Sequence, residues 1–123
     1  MRLLLDTHAL IWWDEGSRLK KAAREAIREA DQVFVSAASV WEIAIKASLG
    51  RIAPIRSMAE ALEENGFEEL PVLIRHTVAV QTLPWHHRDP FDRLLIAQAL
   101  TDRLTLVTRD AAFHPYSLPT IPA

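Results

Sequence analysis

Residues 3–13, Leu3-Leu4-Leu5-Asp6-Thr7-His8-Ala9-Leu10-Ile11-Trp12-Trp13, decide how the chain is to be read. Leu3 to Leu5 is too short a run for a helix and reads as a buried strand, and past Asp6 the pattern turns helical through Trp13. This is a strand followed at once by a helix, with an aspartate at the junction. Working outward, the unit recurs. Asp14-Glu15-Gly16-Ser17 is turn-like, and Arg18 to Ala30 carries Leu19, Ala22, Ala23, Ala26, Ile27 and Ala30 at helical spacing. Val33-Phe34-Val35 is a second strand, and Ser36 is a good N-cap for a helix to about Leu49, ended by Gly50. Ser57-Met58-Ala59-Glu60 is a capping-box sequence whose helix closes at Asn65-Gly66. A short strand near Phe67 to Pro71 and a helix over Ile74 to Thr82 follow. Asp89-Pro90 reads as an N-cap with proline at the first helical position, opening a helix to about Asp102. Leu104 to Val107 is the next strand, and Pro119 to Pro122 adds a short edge strand. Strands alternating with helices predict βαβ units, a parallel sheet and helices on both faces.

The chain has 123 residues, enough for one core, and no repeat or linker divides it, so residues 1–123 are expected to form a single α/β domain. Half the residues are hydrophobic, which argues against disorder. There is no cysteine, which excludes disulfides and thiolate metal sites. No leader pattern follows Met1, and the longest apolar run, Ala9 to Trp13, is far too short to span a bilayer. The expectation is a soluble cytoplasmic protein with no membrane association. The net charge of −2 offers no basic stripe for nucleic acid. If RNA is the substrate, metal ions must offset the acidic site.

Four acids fall at one rim of the expected sheet. Asp6 follows the first strand and Asp110 lies just past a later one, at the carboxyl edge where open α/β proteins bind ligands. Glu42 falls in the second turn of the helix after the second strand, and Asp92 in the first turn of the helix opened by Asp89-Pro90. Carboxylates gathered in this way raise one another's pKa unless a cation holds them together. Oxygen ligands of this type suit Mg²⁺ or Mn²⁺ rather than zinc or copper. Such ions can activate water and hold a phosphodiester, leaving a 5′-phosphate and a 3′-hydroxyl. Each acid also has a local explanation. Asp6 is placed to cap a helix, Glu42 to serve a Ser39 capping box or pair with Lys46, Asp92 to favour a helix dipole, and Asp110 to make a turn. Four unrelated caps have no reason to converge.

Four segments carry a resemblance: Asp6 to Trp13; Ser36 to Gly50 (SAASVWEIAIKASLG); His87-Arg88-Asp89-Pro90-Phe91-Asp92-Arg93; and Thr108-Arg109-Asp110. In this order they resemble the motifs of PIN-domain proteins, above all the VapC toxins of bacterial type II toxin–antitoxin pairs. The resemblance implies a three-layer α/β/α fold with a mostly parallel central sheet. It also implies endoribonuclease activity with Mg²⁺ or Mn²⁺, a homodimer, and inhibition by a VapB-type antitoxin. Its four acids fall on Asp6, Glu42, Asp92 and Asp110, with Thr7 and Thr108 as the supporting hydroxyl residues. Some relatives carry a further acid two positions after the fourth, where this chain has Ala112.

Other residues read more blandly. His86-His87 suggest a polar approach loop rather than zinc, since adjacent histidines point apart. His8 reads as a satisfied structural histidine and Asp89 mainly as an N-cap. Lys46, Arg93 and Arg109 read as solvated charge or phosphate contacts. Trp12, Trp13, Trp41 and Trp85 are candidates for base stacking. Of the adjacent Trp12 and Trp13 at least one belongs in the core, and the other is a candidate for a dimer or antitoxin contact. The alternatives are a non-catalytic PIN-like RNA- or partner-binding module, or an α/β phosphatase. The phosphatase wants a second acid two residues after the first, where His8 stands. A receiver domain wants paired acids, which Glu68 and Glu69 do not supply.

Overall fold

The computed structural model describes residues 1–53 and 57–123. In chain order the elements are β1 (Arg2–Leu5), α1 (Thr7–Glu15), α2 (Lys21–Glu29), β2 (Gln32–Ser36), α3 (Ala37–Ser48) and α4 (Met58–Asn65). They continue as β3 (Glu68–Leu70), α5 (Ile74–Val80), α6 (Pro90–Asp102), β4 (Thr105–Thr108), a 3₁₀ turn (Ala111–Phe113) and β5 (Thr120–Pro122). The five strands pair in the order β3-β2-β1-β4-β5, and every pairing is parallel.

Alternation along β1 shows why helices must cover both faces. Leu3 and Leu5 join the core packed by α1 and α2, whereas Leu4 joins the core packed by α6 on the opposite face. All three leucines are fully buried. The result is a three-layer α/β/α arrangement, and among the described residues no helix is long and apolar enough to cross a membrane.

Local chemistry sets the helix starts. Asp6, Ser36, Ser57 and Asp89 each accept a backbone N–H of the first turn they cap. Several boundaries differ from those expected. The second helix starts at Lys21, because residues Ser17 to Lys20 form a loop in which Arg18 takes a left-handed backbone (φ 62°). Helix α5 stops at Val80, and β4 is shifted one residue onward to include Thr108. That shift carries Thr108 beside Asp6 at the end of the adjacent strand.

A buried polar chain ties the α5–α6 layer to the sheet. Ser36 Oγ accepts from Ala38 N (3.0 Å) and donates to Gln98 Oε1 (2.6 Å). Gln98 Nε2 donates to the Pro71 carbonyl (3.2 Å), and the neighbouring His76 contacts Asp102 at 2.9 Å. Ser36→Ala therefore removes a helix cap and strands a buried amide oxygen. It should cost roughly 2 kcal/mol in urea unfolding. A loss under about 0.5 kcal/mol would show that this chain is not a structural tie.

Candidate active site

The four expected acids come together at the carboxyl edge of the sheet, and Asp6 and Asp110 are each held by one oxygen to a backbone N–H of their own segment. Asp6 ends β1, where its N–H donates to the Val107 carbonyl (3.1 Å) and its Oδ1 accepts from Ala9 N (2.7 Å). Asp110 turns the chain after β4: its N–H donates to Thr108 Oγ1 (3.0 Å) and its Oδ1 accepts from Ala112 N (2.9 Å). Glu42 is nearly buried on α3, with Oε1 accepting the Thr7 hydroxyl (2.6 Å) and Oε2 facing Lys46 Nζ (3.2 Å). Asp92 stands in the first turn of α6, and its N–H donates to the capping Asp89 carboxylate. The local explanations for Asp6, Asp92 and Asp110 hold, as does the Lys46 pairing of Glu42, and the acids converge all the same. The Ser39 capping box does not form, because the helix is capped three residues earlier. Ser39 Oγ is instead the one buried side-chain polar atom without a partner among the described residues.

Convergence has an electrostatic consequence. Asp92 is pushed up to about 7, first by loss of water and then by Asp89, Glu42 and Asp6, with His87 pulling the other way. Asp6 is also raised. Burial is the main cause and Asp110 adds to it, against the opposing effect of the Thr108 and Ala9 hydrogen bonds and of His8. Thr7 and Thr108, the two supporting hydroxyl residues, thus touch Glu42 and Asp6 respectively.

His87 corrects the expectation of a mere approach loop. The adjacent histidines do point apart, His86 against Tyr116, but this sends His87 into the acids. Its Nε2 lies 3.0 Å from Asp92 Oδ2 and 3.1 Å from Asp110 Oδ2. Its Nδ1 accepts the Asp89 N–H (3.2 Å), which assigns the ring proton to Nε2 and makes His87 a donor to both carboxylates. The loop bearing it is fastened from two sides. Arg93, buried rather than solvated, donates to the carbonyls of Val80, Leu83, Pro84 and His87, with its guanidinium 3.9 Å over the Trp85 ring. Tyr116 hydroxyl donates to the Pro84 carbonyl (2.7 Å) and accepts the His87 N–H (2.9 Å). Arg93 therefore shapes the site and is spent on carbonyls.

An open cavity of about 320 Å³ adjoins the acids, lined by Asp6, His8, Trp12, Arg109 and Asp110. His8 is exposed and lines this cavity, where the sequence favoured a satisfied structural histidine. Trp12 is core and Trp13 half-buried, with its indole N–H on Asn65 (2.9 Å). Trp41 and Trp85 are exposed, and Trp41 meets Phe91 edge to face.

A PIN-domain profile matches residues 3–117. The ribonuclease VapC22 of Mycobacterium tuberculosis is 34% identical over 122 residues, covering 95% of this chain and 93% of that protein. The fold is similar to that in the DNA-bound VapBC complex of Salmonella typhimurium, with a TM-score of 0.74, 15% identity, and 98% and 97% of the two chains covered. It is also similar to that in VapBC2 of Rickettsia felis bound to promoter DNA, with a TM-score of 0.71, 15% identity and 98% of each chain covered. With the profile spanning nearly its whole length and a VapC ribonuclease matching along it, the chain belongs to the PIN-domain family, in its VapC branch.

Proposed function

We propose that this protein is a metal-dependent endoribonuclease, the toxin of a VapBC-type toxin–antitoxin pair, acting in the cytoplasm through Asp6, Glu42, Asp92 and Asp110. The observation that carries the reading is the convergence of four carboxylates at one edge, two of them pushed toward the protonated form by burial and by one another. Such a cluster is costly without a cation. The donor set fits one: carboxylate oxygens suit a hard ion, and Asp92, Asp110 and His87 each offer a ligand atom within 4.8 Å of the others.

Asp6, Glu42, Asp92 and Asp110 would hold Mg²⁺ or Mn²⁺. When bound, such an ion supplies Lewis acidity toward a phosphate oxygen and lowers the pKa of water. The protein's own residues do the positioning. Thr7 and Lys46 fix the direction of Glu42, while Thr108 and the Ala9 N–H fix Asp6. His87 keeps Asp92 and Asp110 close, and its N–H uses the same oxygens that a cation needs. The Asp89 cap presents the first turn of α6, with its partial positive charge, beside the site where an RNA phosphodiester is to be cut.

The relationship to VapC22 and the likeness to toxin–antitoxin complexes support a VapB-type antitoxin as protein partner, and a homodimer completes this reading. With net charge −2, the chain fits an antitoxin that presents a basic side chain to the acids.

Purified protein should cleave RNA with Mg²⁺ or Mn²⁺ and stop with EDTA. Asp6→Asn, Glu42→Gln, Asp92→Asn and Asp110→Asn should each lower the rate by roughly 100-fold or more while keeping the fold. Cleavage in excess EDTA, or near-normal rates in these variants, would contradict the four-acid metal site. No cleavage by folded wild-type protein would return the chain to a non-catalytic binding module.

Stability should also follow pH. Asp92 keeps its proton in the folded state up to about 7, whereas its ordinary value is 3.8. The folded state binds more protons in this window, so ion-free protein should lose stability as pH rises through it, with the full loss present above it. Asp92→Asn should flatten that slope and melt higher than wild type at pH 8 in EDTA. Parallel slopes for the two proteins would mean that Asp92 is not strained in this way.

A further inference from the structure

The cavity beside the acids has a composition that the cleavage chemistry does not require. Two of its walls, Asp6 and Asp110, belong to the acid cluster, so whatever occupies it is continuous with the group being cut. Its floor is Trp12, one turn beyond His8 on α1. The His8 ring lies on it at 5.7 Å between centroids and 37° between planes. From the β4 side, the Arg109 guanidinium lies 4.2 Å over the same indole. One Arg109 nitrogen donates to the Arg18 carbonyl (2.9 Å), and among the described residues no carboxylate pairs with it. The guanidinium thus rests against Trp12 and lines the cavity while staying open to solvent. His8 and Arg109 are both exposed.

We infer that this cavity is a nucleoside subsite, seating the nucleotide next to the scissile phosphate. The base stacks on Arg109 and His8, and its phosphate is held by the Arg109 guanidinium. This inference rests on the ribonuclease reading above. A flat guanidinium backed by an aromatic ring is a platform on which nucleobases stack, and it is also a fork suited to phosphate. Stacking of this kind tolerates any base, so the subsite adds grip rather than sequence choice. Its position explains how a protein with net negative charge grips an anionic strand: one unpaired cation stands at the mouth of the acidic site. An acidic rim joined to an apolar, cationic cavity is a poorer match for a protein side chain, which would satisfy one part only.

The test is fluorescence anisotropy of a 5′-labelled single-stranded RNA octamer in Mg²⁺, using Asp92→Asn protein so that the strand survives. In that background Arg109→Gln should weaken binding about tenfold and reduce the slope of log affinity against log salt by about one. Arg109→Lys should keep the slope but not the full affinity, because the stacking face is lost. His8→Ala should weaken binding about fivefold with the slope unchanged. Melting curves would establish that each variant is folded. Unchanged RNA affinity in folded Arg109→Gln and His8→Ala proteins would overturn the subsite alone. Loss of antitoxin binding with RNA binding intact would overturn it in favour of a protein contact. If folded wild-type protein neither binds nor cleaves RNA in Mg²⁺, the ribonuclease reading fails along with the subsite.

Discussion

Carboxylates removed from water beside one another repel, and that repulsion is the constraint around which the rest of this molecule is arranged. Ala9 N–H, Ala112 N–H and the Thr7 and Thr108 side chains each hold one of Asp6, Glu42 or Asp110 at the edge. Asp92 has no such hydroxyl and is pushed up to about 7, with Asp89, three residues before it, adding to the strain. The site thus holds electrostatic strain that a bound cation would relieve.

Parallel pairing is what brings these segments to one rim. The β1–β4 register sets Leu5 against Val107, so both chains leave the sheet at the same level, one into Asp6 and the other toward Asp110. Helices α3 and α6 then start from the same rim with Glu42 and Asp92. The rim is held in shape by ties that carry no chemistry themselves. The Ser36–Gln98 bond links β2 to α6, and buried Arg93 fastens the loop that carries His87. A buried charged side chain is tolerated there because four backbone carbonyls accept from its two terminal nitrogens.

Much of this was legible in the sequence where the cause is local. Leu3-Leu4-Leu5 running into Asp6, the Ser36 cap and the Asp89-Pro90 start each act within a few residues of themselves, and each formed as read. The quartet of acids was legible because each follows a strand or opens a helix, and parallel topology then places them together. His87 was not legible. Its direction is set by Arg93 and Tyr116, and the second of these lies 29 residues away. Arg93 was misread for the same reason, since a charge on a helix looks solvated until the loop above it is known. His8 was misjudged because its exposure depends on where Trp12 and Arg109 pack. The start of α2 was misplaced because Leu19 is buried from a loop rather than from a helix, and periodicity does not distinguish the two.

The central claim is that Asp6, Glu42, Asp92 and Asp110 form a divalent-cation site, with His87 holding the place of the ion in its absence. Anomalous X-ray diffraction from crystals soaked in Mn²⁺ tests this most directly. The account predicts a manganese peak at the carboxyl edge of the sheet, about 2.1 Å from oxygens of at least two of these acids, with the His87 N–H no longer bridging Asp92 and Asp110. A cluster that stays bridged by His87 and free of manganese at millimolar Mn²⁺, or manganese bound only elsewhere on the protein, would contradict it.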